Sequence, residues 1–197
     1  MYTHVKRILD VVLAALAVAV LSPLMLAVAL AVKLTSPGPV FFRQKRVGLN
    51  KTYFMIYKFR TMRVDAPNDR PTHLLKNPAA FITPVGGFLR RSSLDELPQL
   101  FNVLRGEMSL VGPRPALWNQ YDLIAARDRN GANGVRPGMT GWAQVNGRDE
   151  LTIEVKARRD GEYVRRMGFW FDAWCLLRTA SRVVRGSGVV EGAQYDQ

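Results

Sequence analysis

The stretch VVLAALAVAVLSPLMLAVALAV, residues 11–32, decides how this chain is organised. Every residue in it is Ala, Val, Leu or Met except Ser22 and Pro23. As one helix it would be about 33 Å long, enough to cross the hydrocarbon core of a bilayer. The run is too long for a cleaved signal peptide, and nothing marks a mature start after it. What remains is a spanning anchor or a segment that enters the bilayer and turns back. Pro23 lacks an N–H and crowds the carbonyl of Ala19, which kinks or breaks a helix. Spanning helices tolerate proline as well, so the flanks carry the decision. Lys6 and Arg7 precede the run, and Lys33, Arg43, Lys45 and Arg46 follow it. Basic flanks stay cytoplasmic, so both ends prefer the same side. The expectation is a re-entrant helix–break–helix over residues 1–35, interrupted at Ser22 and Pro23. A cytosolic, membrane-associated domain then occupies residues 36–197.

The whole chain has 197 residues, with 28 Lys and Arg against 16 Asp and Glu, a formal charge of +12. That balance calls for an anionic partner: nucleic acid, a membrane surface or a phosphorylated substrate. Cys175 is the single cysteine, so no intrachain disulfide forms. His4 and His73 are the only histidines, which leaves a His/Cys zinc site or a Cys–His or Ser–His nucleophile pair poorly supplied. A metal here would bind carboxylate and phosphate oxygens, as magnesium does.

After the breaker TSPGP at 35–39, residues 40–62 read as two strands joined near GLNK. Phe54, Ile56, Lys58 and Arg60 share one face of the second strand by period two. Lys58 and Arg60 fit either a solvated edge or a phosphate contact. Residues 63–80 read as a loop or short helices. The stretch RRSSLDELPQLFNVL, residues 90–104, then sets Asp95 beside Glu96 in a chain of opposite charge. Ser93 and Glu96 fit a capping box; alternatively the helix begins nearer Asp95, with Pro98 in its first turn. Leu97, Leu100, Phe101, Leu104 and Met108 recur at helical spacing as a buried stripe. Gly112, Pro113 and Pro115 form a rigid connection around Arg114. Asp149-Glu150-Leu151 repeats the earlier Asp-Glu-Leu tripeptide, and spacing alone does not say which pair does chemistry. No dinucleotide fingerprint or phosphate loop is present.

In order along the chain, LSP in the apolar run, SPGPVFFRQKRVG (36–48), YKFRTM (57–62), SLDELPQLFNVLRGEMSLVGPRP (93–115) and RPGMTGWAQVNGR (136–148) resemble the bacterial sugar transferase family, the monotopic phosphoglycosyl transferases. The resemblance covers nearly the whole chain. It implies transfer of a sugar-1-phosphate from a nucleotide diphospho-sugar, UDP being the expected carrier, to polyprenyl (undecaprenyl) phosphate. Nucleoside monophosphate leaves. Asp95 then corresponds to the nucleophile and Glu96 to its neighbouring acid, which assists magnesium; Asp149 and Glu150 do not correspond. Arg90, Arg114, Arg136 and Arg148 become candidates to hold the diphosphate, with Lys58 and Arg60 behind them. The α-helix N-terminus at the acidic pair would favour phosphate. Ser22-Pro23 corresponds to the break of the re-entrant helix.

The C-terminal part reads as two helices, the second carrying Phe169, Trp170, Phe171 and Trp174 beside arginines. It fits a core helix with a basic outer face or an interfacial helix at the lipid headgroups. The expected fold is α+β and mostly helical: the re-entrant membrane helix, a small β-hairpin and a helical catalytic domain with interfacial helices. Expected partners are the nucleotide sugar, polyprenyl phosphate and phospholipid, at the cytoplasmic face of a bacterial inner membrane. A membrane-anchored basic scaffold and a nucleic-acid binder are the rivals. The scaffold needs no chemistry at Asp95, and the binder gives the apolar run no role.

Overall fold

Helix α1 runs from Tyr2 to Thr35 in the computed structural model, which describes residues 2–68, 77–147 and 151–185. Its leucine and valine side chains leave it long and apolar enough to cross a membrane. The expected interruption at Ser22-Pro23 is not a gap: helical structure continues through Pro23. The missing backbone bond is answered locally, because the Ser22 hydroxyl donates to the Ala19 carbonyl at 2.9 Å. The end of α1 is closed by two more hydroxyls, Thr35 to the Ala31 carbonyl at 2.6 Å and Ser36 to the Val32 carbonyl at 3.3 Å.

One stripe of α1 is buried along both halves. Lys6, Asp10 and Ala14 line the first half, and Met25, Val28 and Val32 the second. Outside that stripe Ile8, Leu16, Val20, Leu26 and Leu30 are exposed. The apolar run is therefore two-faced, with a narrow seam on the rest of the protein and a broad face free of it.

Residues Phe41–Val47 (β1) and Tyr53–Phe59 (β2) form the anticipated hairpin, antiparallel with Phe41 opposite Phe59 and Val47 opposite Tyr53. Asn50 and Lys51 take the left-handed backbone that the turn at GLNK requires. Phe54 and Ile56 on the inner face meet Ala14 of α1 and Leu100, Val103 and Met108 in one core cluster. A second cluster joins Met25, Val28 and Val32 to Phe59 and Leu89. Both halves of α1 thus rest on the same body.

Helix α2 (Gly86–Ser92) leads to the acidic pair, followed by α3 (Gln99–Arg105) and a short β3 (Ser109–Val111) that pairs in parallel with β4 (Gly138–Thr140). The backbones touch here. A Cβ on Gly141 would lie 2.0 Å from the Gly112 carbonyl oxygen, and one on Gly138 2.1 Å from the Gly112 nitrogen. Helix α4 (Tyr121–Asp128) packs on α5 (Ile153–Arg166) through the buried pair Arg127–Asp160, 2.6 Å apart. The last helix, α6 (Phe169–Arg185), buries Asp172 and Cys175 and packs Phe171 against Tyr163 and Trp142, but leaves Phe169, Trp170 and Trp174 exposed.

A buried polar knot fastens the first turns of α1 to α6. Lys6 Nζ lies 2.7 Å from Asp172 Oδ2 and 3.7 Å from Asp10 Oδ1. Asp172 also accepts from Tyr2 at 2.6 Å and Tyr163 at 2.8 Å, while Asp10 accepts from the Ser109 hydroxyl at 2.7 Å. Removing one partner from such a group leaves an uncompensated buried charge. Lys6→Met should lower the stability of the detergent-solubilised protein by about 3–5 kcal/mol, and adding Asp172→Asn should return about half of it. Thermal melts of the two variants measure both; an unchanged melting temperature for Lys6→Met would mean the knot contributes nothing.

Candidate active site

The acidic pair sits where two helices fail to join. Ser93 ends α2 in the left-handed conformation, φ 58°, and Leu94–Glu96 form a single 3-10 turn. Pro98 then occupies the cap position of α3. The capping box is not formed: Ser93 makes no side-chain cap bond, and Glu96 turns instead to charged partners. The alternative, a helix beginning nearer Asp95 with Pro98 in its first turn, is not met either: α3 begins at Gln99 with Pro98 at its cap, so Asp95 does not lie at an α-helix N-terminus. In a 3-10 turn neighbouring side chains diverge by about 120°, so the two carboxylates address different surroundings.

Glu96 is the structural hub. Its Oε1 accepts from Lys58 Nζ at 2.8 Å and from Arg114 Nη2 at 2.9 Å. Lys58 comes from β2 and Arg114 from the Gly112–Pro115 connection, so one carboxylate oxygen draws together three segments far apart in sequence. Strand β2 is itself held in register by Asn102 of α3, which donates to the Met55 carbonyl at 2.8 Å and accepts from the Tyr57 N–H at 3.0 Å. Asn102 went unnoticed in the sequence reading; a polar residue between Leu100 and Val103 on a buried stripe was the available signal.

Asp95 is only 7% exposed. Burial pushes its carboxyl up to about 6, against the pull of Lys58, Arg90 and Arg114, and Glu96 adds to the rise. Burial likewise lowers the Lys58 ammonium, with Glu96 opposing and Arg114 adding to the fall. Asp95, Lys58 and Arg90 line a cavity of ≈ 360 Å³, together with Arg43, Arg46 and Arg60. Arg43 and Arg46 were read from the sequence only as membrane flanks. This is an acid inside a basic chamber, suited to an anionic ligand that brings phosphate oxygens to a carboxylate.

The other sequence candidates divide. Arg60 lines the chamber, but its guanidinium is turned to the exit of α1, Nε 2.6 Å from the Pro39 carbonyl and Nη2 2.9 Å from the Ser36 carbonyl. Arg136 lies elsewhere, lining a second cavity with Lys6, Arg7 and Asp10, and donates to the Gly106 carbonyl at 2.9 Å. Arg148 and the second acidic pair, Asp149 and Glu150, fall outside the described residues. For a metal, no group of three or more His, Cys, Asp or Glu occurs among the described residues. Glu96, the acid expected to assist magnesium, accepts from Lys58 and Arg114 through Oε1, and a carboxylate is the donor type that magnesium takes alongside water and substrate phosphates.

The raised carboxyl of Asp95 has a stability consequence. Its ordinary value is 3.8 and its folded value about 6, so the ionised form is the one the fold disfavours. The cost is absent below pH 3.8, grows up to about pH 6 and is complete above it. Asp95→Asn should therefore stabilise the protein by up to about 3 kcal/mol at pH 8 and by about half of that at pH 5. Melting temperatures at the two pH values test this; equal shifts at both would place the titration elsewhere.

Comparison with known proteins agrees with the motifs. The chain is 46% identical over 186 residues to a UDP-glucose:undecaprenyl-phosphate glucose-1-phosphate transferase of Xanthomonas campestris pv. campestris, covering 91% of this chain and 38% of that protein. It is 38% identical over 195 residues to a UDP-N-acetylgalactosamine-undecaprenyl-phosphate N-acetylgalactosaminephosphotransferase of Aeromonas hydrophila, covering 95% of this chain and 45% of that one. With the uncharacterized sugar transferase EpsL of Bacillus subtilis (strain 168) it shares 39% over 184 residues, 93% of this chain and 89% of the other. The chain thus spans less than half the length of the first two relatives. The family model for bacterial sugar transferases matches residues 1–186, and with that match the chain belongs to the bacterial sugar transferase family.

Proposed function

We propose that this chain transfers a sugar-1-phosphate from a nucleotide diphospho-sugar to polyprenyl phosphate through a covalent intermediate on Asp95. The observation that carries the reading is the buried carboxylate of Asp95 facing a basic chamber, beside a second carboxylate held by Lys58 and Arg114. The relatives' printed activities, which use UDP-sugars and undecaprenyl phosphate, support the same substrates here.

An Asp95 oxygen attacks the phosphorus that carries the sugar, and the bond from that phosphorus to the nucleotide's other phosphate breaks. Nucleoside monophosphate leaves with that electron pair. A phosphate oxygen of the polyprenyl carrier then attacks the same phosphorus and releases the Asp95 carboxylate. Polyprenyl diphospho-sugar results. A carboxylate nucleophile of this kind needs no activating histidine. Burial removes the hydration shell that would blunt it, while Lys58, Arg90 and Arg114 keep enough of it ionised near neutral pH. Arg90 and Arg114 are suited to grip the diphosphate, since planar guanidinium donors match phosphate oxygens. Magnesium held by Glu96 and the diphosphate would neutralise charge developing on the leaving phosphate.

The membrane arrangement follows from the same body. Lys6 near the start of α1 and Val32 near its end both pack on the catalytic domain, although the helix itself is about 51 Å long. A helix that rests on one body along both halves does not carry its two ends to opposite sides of a bilayer, which supports the re-entrant form over a spanning one, although α1 continues through Ser22-Pro23 without a break. Phospholipid then covers the exposed apolar side of α1, and Phe169, Trp170 and Trp174 of α6 lie at the headgroups. The catalytic domain faces the cytoplasm of a bacterial inner membrane.

Enzyme incubated with the matching nucleotide sugar and magnesium, without lipid, should release nucleoside monophosphate in a burst stoichiometric with protein. Intact-mass analysis should find one sugar-phosphate added. Asp95→Asn should abolish both, Asp149→Asn neither, and the burst rate should fall as pH drops through about 6, where Asp95 takes up its proton. A lipid-dependent reaction with no adduct would make Asp95 a base in a direct transfer instead. For topology, cysteines introduced at the exposed positions 3 and 37 should label from the cytoplasmic side only, and Pro23→Ala should increase opposite-side labelling of one of them. Opposite-side labelling of the unsubstituted sequence background would replace re-entry with spanning.

A further inference from the structure

The role of Arg60 emerges from what it holds. Strand β2 sends Lys58 to Glu96, and two residues later Arg60 reaches the turn by which α1 leaves the membrane. Arg60 is 4% exposed and clamps that turn from three sides: Nε to the Pro39 carbonyl, Nη2 to the Ser36 carbonyl, and its own backbone N–H to the Val40 carbonyl at 2.9 Å. Its charge also lies beside the C-terminus of α1, the end of the helix that favours a cation. The turn is shaped to receive it. Gly38 has φ 117°, and a Cβ there would meet Val64 Cγ1 at 2.7 Å and the Arg60 guanidinium carbon at 3.6 Å.

The clamped turn is also a wall of the reaction chamber. Pro39, Phe41 and Val64 line the same cavity as Lys58, Arg90 and Asp95. Because this wall follows directly on the apolar helix, the membrane arrangement proposed above puts it at the lipid side of the chamber. A soluble nucleotide sugar can enter without reference to it, whereas a phosphate tethered to a membrane-bound chain arrives along it. We infer that Arg60 is a positioning residue for the lipid half of the reaction: it fixes the exit turn of α1 against the Asp95 chamber, so that the membrane-borne phosphate meets the phosphorus at the right depth. The inference rests on the two-step reading above. Arg60 touches neither reacting group in this assignment, and its effect passes through the turn.

The test separates the two half-reactions in nanodiscs, using Arg60→Gln, Arg60→Lys and Gly38→Ala. The last disturbs the turn by strain at a positive φ and leaves the arginine in place. Expected is a selective loss: consumption of the adduct by undecaprenyl phosphate slows by tenfold or more beyond any change in the burst with nucleotide sugar alone, misplacement of this kind costing up to about a hundredfold. Arg60→Lys, which keeps the charge but loses the two-pronged grip, should fall between parent and Arg60→Gln. Should Arg60→Gln fail to fold, Gly38→Ala carries the test alone. Equal loss of both half-reactions, or no loss of either, overturns the assignment. No burst in the parent protein would refute the covalent route instead; the assignment is then decided by whether the variants raise KM for the lipid phosphate and leave KM for the nucleotide sugar alone.

Discussion

Everything around the basic chamber beside Asp95 depends on one carboxylate oxygen. Glu96 Oε1 receives Lys58 and Arg114 at once, which ties the β-hairpin and the glycine- and proline-rich connection to the turn carrying Asp95. All three groups are mostly withdrawn from water, so each would be costly to bury alone. Together they are mutually satisfied, and that satisfaction holds the turn against a helix that would otherwise run straight through. Had Glu96 served as an ordinary capping residue, Lys58 would be a buried cation without its nearest counter-charge.

The neighbouring Asp95 shows the opposite condition. It is buried in the same place without so close an anchor, and its carboxyl rises accordingly. Two adjacent residues of the same chemistry are thereby driven apart in character, one fastened by two cations, the other with its carboxyl pushed up to about 6. Divergence of environments within a pair of acids is how proteins divide chemical labour between them. The three nearby cations keep the poise from becoming simple neutralisation.

The apolar helix α1 is built into this arrangement and does not hang from it. Its buried stripe completes both core clusters, Ala14 in one and Met25, Val28 and Val32 in the other. Its first turns are held by the Lys6–Asp172 knot and its exit by Arg60. The residues 1–35 and the rest of the chain consequently share hydrophobic cores, whatever boundary is drawn between them. Pro23 is accommodated because Ser22 supplies the donor its ring cannot.

Much of this was open to reading from the chain alone, where short-range rules apply. The apolar run, the hairpin at GLNK, the two C-terminal helices and the isolation of Asp95 and Glu96 among basic residues all follow from periodicity, turn chemistry and charge. The ordered motifs carried the family. What pairwise distance in space decides lay beyond reach. Lys58 and Arg60 look alike on one strand face, yet one meets Glu96 and the other the carbonyls of Ser36 and Pro39. Arg114 and Arg136 look alike in glycine-rich turns, yet only the first reaches the acidic pair. Ser93 and Glu96 match a capping box that the fold does not use, because a buried ion pair outweighs a local cap. Sequence determined which residues were available for chemistry through local rules of backbone and polarity; the tertiary structure decided their partners, because a buried charge takes whichever counter-charge the packing of distant segments brings within reach.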